Sequence, residues 1–251
     1  MNGVDPLHTP RSVAVEAALE AGRVLRGYIG RLETVLEQLQ RAFPDYGVLA
    51  EESGVVIGEG NPTTRWIVDP LDGTTNFANG YPHFCVSIAL ERNDELHLGV
   101  VYVPMLDELF IAEKGQGAWM NGERLAVSRE AVLRNSVLST GFEYAPVKRK
   151  NNLGRFAYFT ETARAIRRDG SATIDLCYVA AGRFDGFWEA GLNPWDVAAG
   201  ALMVREAGGS LTDYVGNEYR IDAPGWGATN GHIHAAVLSG IQKNGARMGV
   251  S

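Results

Sequence analysis

Trp66-Ile67-Val68-Asp69-Pro70-Leu71-Asp72-Gly73-Thr74-Thr75-Asn76-Phe77 is the stretch whose reading decides this chain. A short apolar run has strand character and ends in two carboxylates three residues apart. Gly, two Thr and Asn follow, as in a tight turn that opens a helix. Two hard oxygen ligands on one turn suit Mg²⁺, which takes carboxylates and keeps its remaining positions for water and phosphate oxygens. The N–H groups of Gly73 and Thr74, at a helix start, would cradle an anion beside the metal. Metal beside an anion cradle means phosphate chemistry. An Asp-x-x-Asp-Gly run standing alone is more often a solvated turn; the apolar run before it and the hydroxyls after it tip the reading here.

The chain has 251 residues, 45% of them hydrophobic, which is enough for one large core or two closely joined lobes. We divide it at about residue 130, with lobe 1 over about 1–130 and lobe 2 over about 131–251. A net charge of −7 and a pI near 5.3 argue against nucleic acid as a partner. Lys148-Arg149-Lys150, between Pro146 and two Asn, reads as a solvated loop. Cys85 and Cys177 lack metal-ligand spacing and read as buried free thiols in a reducing compartment. No apolar run approaches the ~20 residues that span a bilayer, and Met-Asn-Gly-Val-Asp-Pro is not a signal-peptide pattern. A soluble, cytoplasmic protein is expected.

Helical spacing predicts helices over 11–29 and roughly 31–43, the second with an apolar stripe of Leu32, Val35, Leu36, Leu39 and Phe43. Segments 82–90, 96–103, 108–113 and 117–120 are rich in Val, Ile and aromatics and predict an antiparallel meander. Gly115-x-Gly117 within it reads as a hairpin turn. Beyond residue 131 strands and helices alternate: strand 136–140, helix 152–163, strand 164–168, helix 171–182, strand 183–188 and helix 196–207.

Further acidic residues stand near the ends of apolar stretches. Glu51-Glu52 follows Val48-Leu49-Ala50; alone it would be a solvated strand end, but a second metal needs another carboxylate and an attacking water needs an anion nearby. Asp196 begins a helix with a small-residue face, Val197-Ala198-Ala199-Gly200, where Asp would also serve as an ordinary N-cap and Trp195 as core. Glu189 follows Phe184–Trp188 and could line a cleft or form a half-exposed strand end. His83, His97, His232 and His234 show no shared metal-ligand spacing and read as structural or exposed.

Taken together, Glu51-Glu52-Ser53, Trp66–Phe77 and Trp195-Asp196-Val197-Ala198-Ala199-Gly200, with Phe84–Leu90 and Gly170-Ser171-Ala172, resemble the inositol monophosphatase family over nearly all of the chain from residue 43. That family consists of Mg²⁺-dependent, often lithium-sensitive phosphatases. The resemblance implies a layered α/β (αβαβα) sandwich of the inositol monophosphatase/fructose-1,6-bisphosphatase type, assembled as a homodimer. It implies two or three Mg²⁺ per site: Glu51, Asp69 and the Leu71 carbonyl would hold the first, and Asp69, Asp72 and Asp196 the second. Gly73 and Thr74 would bind phosphate, with Thr74, Glu51 and Asp69 acting on the attacking water. Gly170, Ser171, Ala172 and Glu189 would meet the alcohol portion of a small phosphorylated polyol.

Myo-inositol 1-phosphate is the first expected substrate. Fructose-1,6-bisphosphatase, histidinol-phosphate phosphatase and adenosine-bisphosphate phosphatase are siblings built on the same site. One family element is missing: between Gly27-Tyr28-Ile29-Gly30 and Arg31-Leu32-Glu33-Thr34 there is neither the Lys-bearing loop nor the Asp-x-x-Thr-x-x-Asp motif. A weak, metal-binding regulatory protein is the alternative this gap raises.

Overall fold

Alternate residues of one long sheet enter two separate apolar cores, and that alternation fixes the layering. The computed structural model describes residues 9–26, 33–51, 54–56, 61–143 and 146–245. The first sheet holds β1 (Tyr46–Ala50), β2 (Gly54–Val56), β3 (Asn61–Asp72), β4 (Cys85–Arg92), β5 (Glu95–Val103), β6 (Glu108–Glu113), β7 (Gly117–Met120) and β8 (Glu123–Arg124), in the order β2-β1-β3-β4-β5-β6-β7-β8. Strand β1 runs parallel to β3, and β3 to β8 form an antiparallel meander that contains the four expected strands as β4 to β7. Val86, Ile88 and Leu90 of β4 face one core, whereas Cys85 and Ala89 face the other. Both faces are covered, so the strands read as near-continuous apolar runs.

Helices α1 (Pro10–Arg26) and α2 (Glu33–Ala42) cover the outer face, burying Ala14, Ala17, Ala18, Ala21 and Leu25 at helical spacing. After a short helix α3 (Thr74–Ala78), the second half supplies α4 (Pro146–Thr162), α5 (Ala172–Ala180), α6 (Pro194–Glu206) and α7 (His234–Asn244). Its strands are β9 (Val137–Thr140), β10 (Ala165–Arg167), β11 (Gly186–Ala190), β12 (Ser210–Asp213) and β13 (Gly225–Thr229), ordered β10-β9-β11-β13-β12. Helices α5 and α6 lie between the two sheets in one core, and α4 and α7 pack on the far face of the second sheet around Phe159, Trp188, Val237 and Ile241. The layers therefore run α-β-α-β-α, as the resemblance implied.

Several boundaries moved. The strand expected over 82–90 starts at Cys85, because the Asn76 amide holds the His83 carbonyl and Pro82 has no N–H for a ladder. It extends instead to Arg92, where Glu91 pairs with Arg65 across the sheet. Lys148-Arg149-Lys150 is not a loop: it lies in the first turns of α4, with Pro146 as first helical residue and Arg149 and Lys150 exposed. The strand expected over 183–188 is β11, displaced because Asp185 folds back to accept from the Val137 N–H and the Ser128 hydroxyl. Helix α4 also begins earlier than 152, and α5 and α6 lie within two residues of expectation. Residues 27–32, Glu52 and Ser53 lie outside the described residues, and with them the junction of the shortened segment. No described helix is long and apolar enough to cross a membrane.

The middle layer is packed to contact. A Cβ added at Gly200 in α6 would lie 2.6 Å from the Leu176 Cβ in α5, and one at Gly99 would lie 3.0 Å from the Ala199 carbonyl. For Gly200→Ala, better helix propensity favours the variant by about 1 kcal/mol. Overpacking a closed interior costs about 1–3 kcal/mol. The clash should win, because both partners sit on buried helix backbone. A urea midpoint lower than wild type at unchanged m-value is expected; an equal or higher midpoint would show that α5 and α6 can move apart.

Candidate active site

Three elements deliver carboxylates to one edge of the first sheet. Strands β1 and β3 are parallel with Ala50 opposite Val68, so both leave the sheet at the same edge and Glu51 emerges beside Asp69. In a regular strand Asp69 and Asp72 would face opposite sides. The ladder between β3 and β4 is irregular between Asp69 and Asp72, where Pro70 cannot donate, and this break turns both acids to one side. Asp196 arrives from the first turn of α6. Its carboxylate accepts from the Asn193 N–H at 2.7 Å, so it is the third residue of the helix tied back to an Asn193 cap rather than the N-cap itself. Ligand atoms of Asp69, Asp72 and Asp196 lie within 4.8 Å of one another.

Each side chain is held. Asp69 accepts from the Leu71 N–H at 2.9 Å, and the Thr74 hydroxyl donates to the Leu71 carbonyl at 3.1 Å. Asp72 accepts from the Ser171 hydroxyl at 2.6 Å and the Thr173 N–H at 3.1 Å, both at the start of α5. The Thr173 hydroxyl donates to the Asp196 carbonyl at 2.8 Å. Gly73 takes φ +92°, and a Cβ there would lie 2.9 Å from the His83 carbonyl, so the turn admits no side chain.

These residues line a cleft of about 260 Å³ that includes Glu51, Leu71, Gly73, Thr74 and Glu189. An adjoining recess of about 80 Å³ contains Gly170, Ser171 and Ala172. Glu51, Asp69, Leu71, Asp72, Gly73, Thr74, Gly170, Ser171, Ala172, Glu189 and Asp196 therefore all line these two spaces, whereas Glu52 lies outside the described residues. Glu51 is exposed at the mouth, outside the tight three-acid group. Glu189 is not a half-exposed strand end: it lies within β11 and is 8% exposed. Phe142, Glu143 and Arg168 also line these spaces and were not found from sequence. Glu143 and Arg168 sit in polar stretches after strands, where nothing distinguishes a cleft residue from a solvated one. A larger cavity of about 650 Å³ lies elsewhere, between Arg65, Lys114, Arg205 and Arg220, where Arg65–Glu91, Lys114–Glu95 and Arg220–Asp222 pair with one another.

The electrostatics are those of a site that wants cations. Burial, then Asp72 and Glu51, push the Asp69 carboxyl well above its usual range. Burial also raises Asp72, partly offset by Ser171 and Thr173. Asp196 is pushed up to about 7 by burial, Asp72 and Glu51, and Glu189 to about 8 by burial, Asp196 and Asp72. Acids gathered away from water and raised by one another are neutralised either by protons or by a hard cation.

The pattern of the inositol monophosphatase family matches residues 29–246. The chain belongs to that family. Inositol-1-monophosphatase of Mesorhizobium japonicum is 42% identical, over 92% of this chain and 96% of its own length. Nus factor SuhB of Salmonella typhimurium is 38% identical over 94% and 97%. The solved structure of inositol monophosphatase from Anabaena (Nostoc) sp. PCC 7120 superimposes with a TM-score of 0.86 at 42% identity, covering 92% of this chain and 94% of that one. As a member of this metal-dependent family the chain is a phosphatase, and its acidic cluster is of the kind that binds metal.

For this inositol monophosphatase relative, pH dependence follows from Glu189, which moves from an ordinary 4.5 to about 8. A folded-state pKa above the unfolded one stabilises fully below the unfolded value, and that contribution is lost as pH rises through the folded value. In EDTA, the stability of Glu189→Gln relative to wild type should rise between pH 5 and pH 8 by a few kcal/mol, on the order of one per unit of pKa shift. Urea midpoints at both pH values read this. A constant difference would mean that Glu189 titrates normally.

Proposed function

We propose that this chain hydrolyses the phosphate monoester of a small polyol in a Mg²⁺-dependent reaction, with myo-inositol 1-phosphate as the first substrate to test. The observation that carries this reading is the convergence of Asp69, Asp72 and Asp196 within 4.8 Å in one cleft beside Thr74. The donors are all hard oxygens, buried and mutually repelling, which fits Mg²⁺ better than a soft ion.

On this reading Glu51, Asp69 and the Leu71 carbonyl hold one ion, and Asp69, Asp72 and Asp196 another. Mg²⁺ bound there would neutralise the phosphate dianion and make a nearby water acidic enough to attack in line. The Thr74 hydroxyl hydrogen is committed to the Leu71 carbonyl, so its oxygen is left to accept from the water and orient it. Glu51, at the mouth, takes the water's proton. The N–H groups of Gly73 and Thr74 face the phosphate, and the alcohol hydroxyls meet Glu189 and the Gly170-Ser171-Ala172 turn. Asp69→Asn removes a charge from the proposed shared ligand while keeping its shape, so phosphate release should fall by at least about 100-fold with little change in urea midpoint. Near wild-type release in saturating Mg²⁺ would show that the metal site is misplaced. A panel of inositol, fructose, histidinol and adenosine phosphates separates the sibling substrates.

The absent segment between Gly30 and Arg31 removes the acidic support that the family gives its Thr. A less pre-organised site binds its metal more weakly. Activity should therefore need high Mg²⁺, and a graft of the family loop at that junction should raise turnover and lower the Mg²⁺ for half-maximal rate. Full activity in low Mg²⁺ without the graft would overturn this. Relatives named Nus factor SuhB support a second reading, a protein-factor role independent of catalysis. A function of that kind would survive Asp69→Asn, whereas the phosphatase would not.

A further inference from the structure

Behind the catalytic turn, three residues from separate elements converge. One potential ligand atom each of His83, Asp169 and Asp175 lies within 4.8 Å of the others. His83 precedes β4, Asp169 lies in the turn before α5, and Asp175 is in the first turn of α5. Asp175 is 2% exposed, and the Ser139 hydroxyl approaches its carboxylate without closing a hydrogen bond of full geometry to Oδ1; His83 is 9% exposed and its Nε2 has no hydrogen-bond partner. An unsatisfied buried polar atom costs about 1–3 kcal/mol, so under-satisfied groups on two residues of one cluster favour a ligand there.

Charge points the same way. Burial, then Asp169, Glu189 and Asp72, disfavour the ionised Asp175, and burial keeps the His83 imidazole toward its neutral, metal-binding form. Arg168 follows the same stretch but is exposed at the adjoining recess.

We propose that His83, Asp169 and Asp175 form a second metal site, made of other residues than the Asp69–Asp72–Asp196 cluster although Asp175 shares a recess with Asp72 and Asp196, that takes a Zn²⁺-class ion. One imidazole and two carboxylates suit Zn²⁺, with water as a fourth ligand, whereas Mg²⁺ takes oxygen donors. The two sites therefore select different ions. The role is structural. Asn76 of α3 donates to the His83 carbonyl at 2.7 Å and to the Asp169 carbonyl at 2.8 Å, so one amide already clamps two of the ligand-bearing residues. Asp175 shares α5 with its N-cap Ser171, which holds Asp72. An ion at this point would fasten the segment before β4, which Asn76 of α3 already holds, to the helix that positions Asp72.

The test is equilibrium dialysis with Zn²⁺ in excess Mg²⁺ on Asp69→Asn protein, in which the catalytic cluster is disabled. One Zn²⁺ per chain is expected, with affinity at least ~10-fold weaker in Asp69→Asn/His83→Gln. In the wild-type protein with Mg²⁺ present, the His83 imidazole ¹⁵N resonances should shift on adding one equivalent of Zn²⁺. Asp69→Asn/Asp175→Asn, which keeps the side-chain shape, gives a second reading if the His83 variant folds poorly. Zn²⁺ binding that is absent, or that is unchanged in stoichiometry and affinity by both variants, overturns the proposal and leaves a buried water as the partner of the two atoms. Because the readout is Zn²⁺ binding rather than phosphate release, failure here is distinguishable from failure of the proposed activity.

Discussion

Asp72 holds the molecule's layers and its chemistry together. Its carboxylate, at the end of a strand of the first sheet, accepts from the Ser171 hydroxyl and the Thr173 N–H at the head of the middle helix layer. Thr173 in turn donates to the backbone of Asp196, so the two acids are positioned by one helix start. A charge-assisted hydrogen bond to a buried carboxylate is among the stronger polar interactions available, and it partly offsets the burial that raises Asp72. Without it, the acids from β3 and α6 would have no common reference and their repulsion would separate them.

That arrangement constrains the core around it. Helices α5 and α6 must approach each other and the first sheet closely enough to bring Asp196 to the edge where β3 ends. The small residues on α6, Ala198, Ala199, Gly200 and Ala201, permit this: the three alanines are at most 1% exposed, and Gly200 faces Leu176 without room for a methyl. The small face of α6 is thus the packing condition for the site. Large aromatic side chains fill the wider spaces elsewhere, as where Phe159 meets Trp188 at a ring separation of 4.4 Å.

The site is destabilising in isolation. Asp69, Asp72, Asp196 and Glu189 are all raised above their ordinary carboxyl range, and the second sheet contributes one of them from within a strand. Such clusters are typical of functional centres, where binding of a ligand relieves what folding alone leaves unfavourable. The surrounding hydrogen bonds hold the acids in place before any ion arrives, which is the condition for tight coordination.

The sequence carried the motifs of the family and, through that resemblance, the layer order. The Val-, Ile- and aromatic-rich runs over 82–90, 96–103, 108–113 and 117–120 reappear as β4 to β7, the helical spacing over 11–29 as α1 (Pro10–Arg26) within the described residues, and the strand–helix alternation after 131 as β9 to α6, because each reports local burial that the chain satisfies nearby. Strands β12 and β13 and helix α7 were not found: β13, Gly225-Trp226-Gly227-Ala228-Thr229, has little strand character, and its glycines are there because Tyr214 and Ile241 press on it from outside. Only the tertiary structure decided that Glu189 is buried and that His83 meets Asp169 and Asp175. Those facts depend on contacts between residues far apart in the chain, which spacing along the sequence does not encode; the identity of the acids is local, but their convergence is a property of the packed layers.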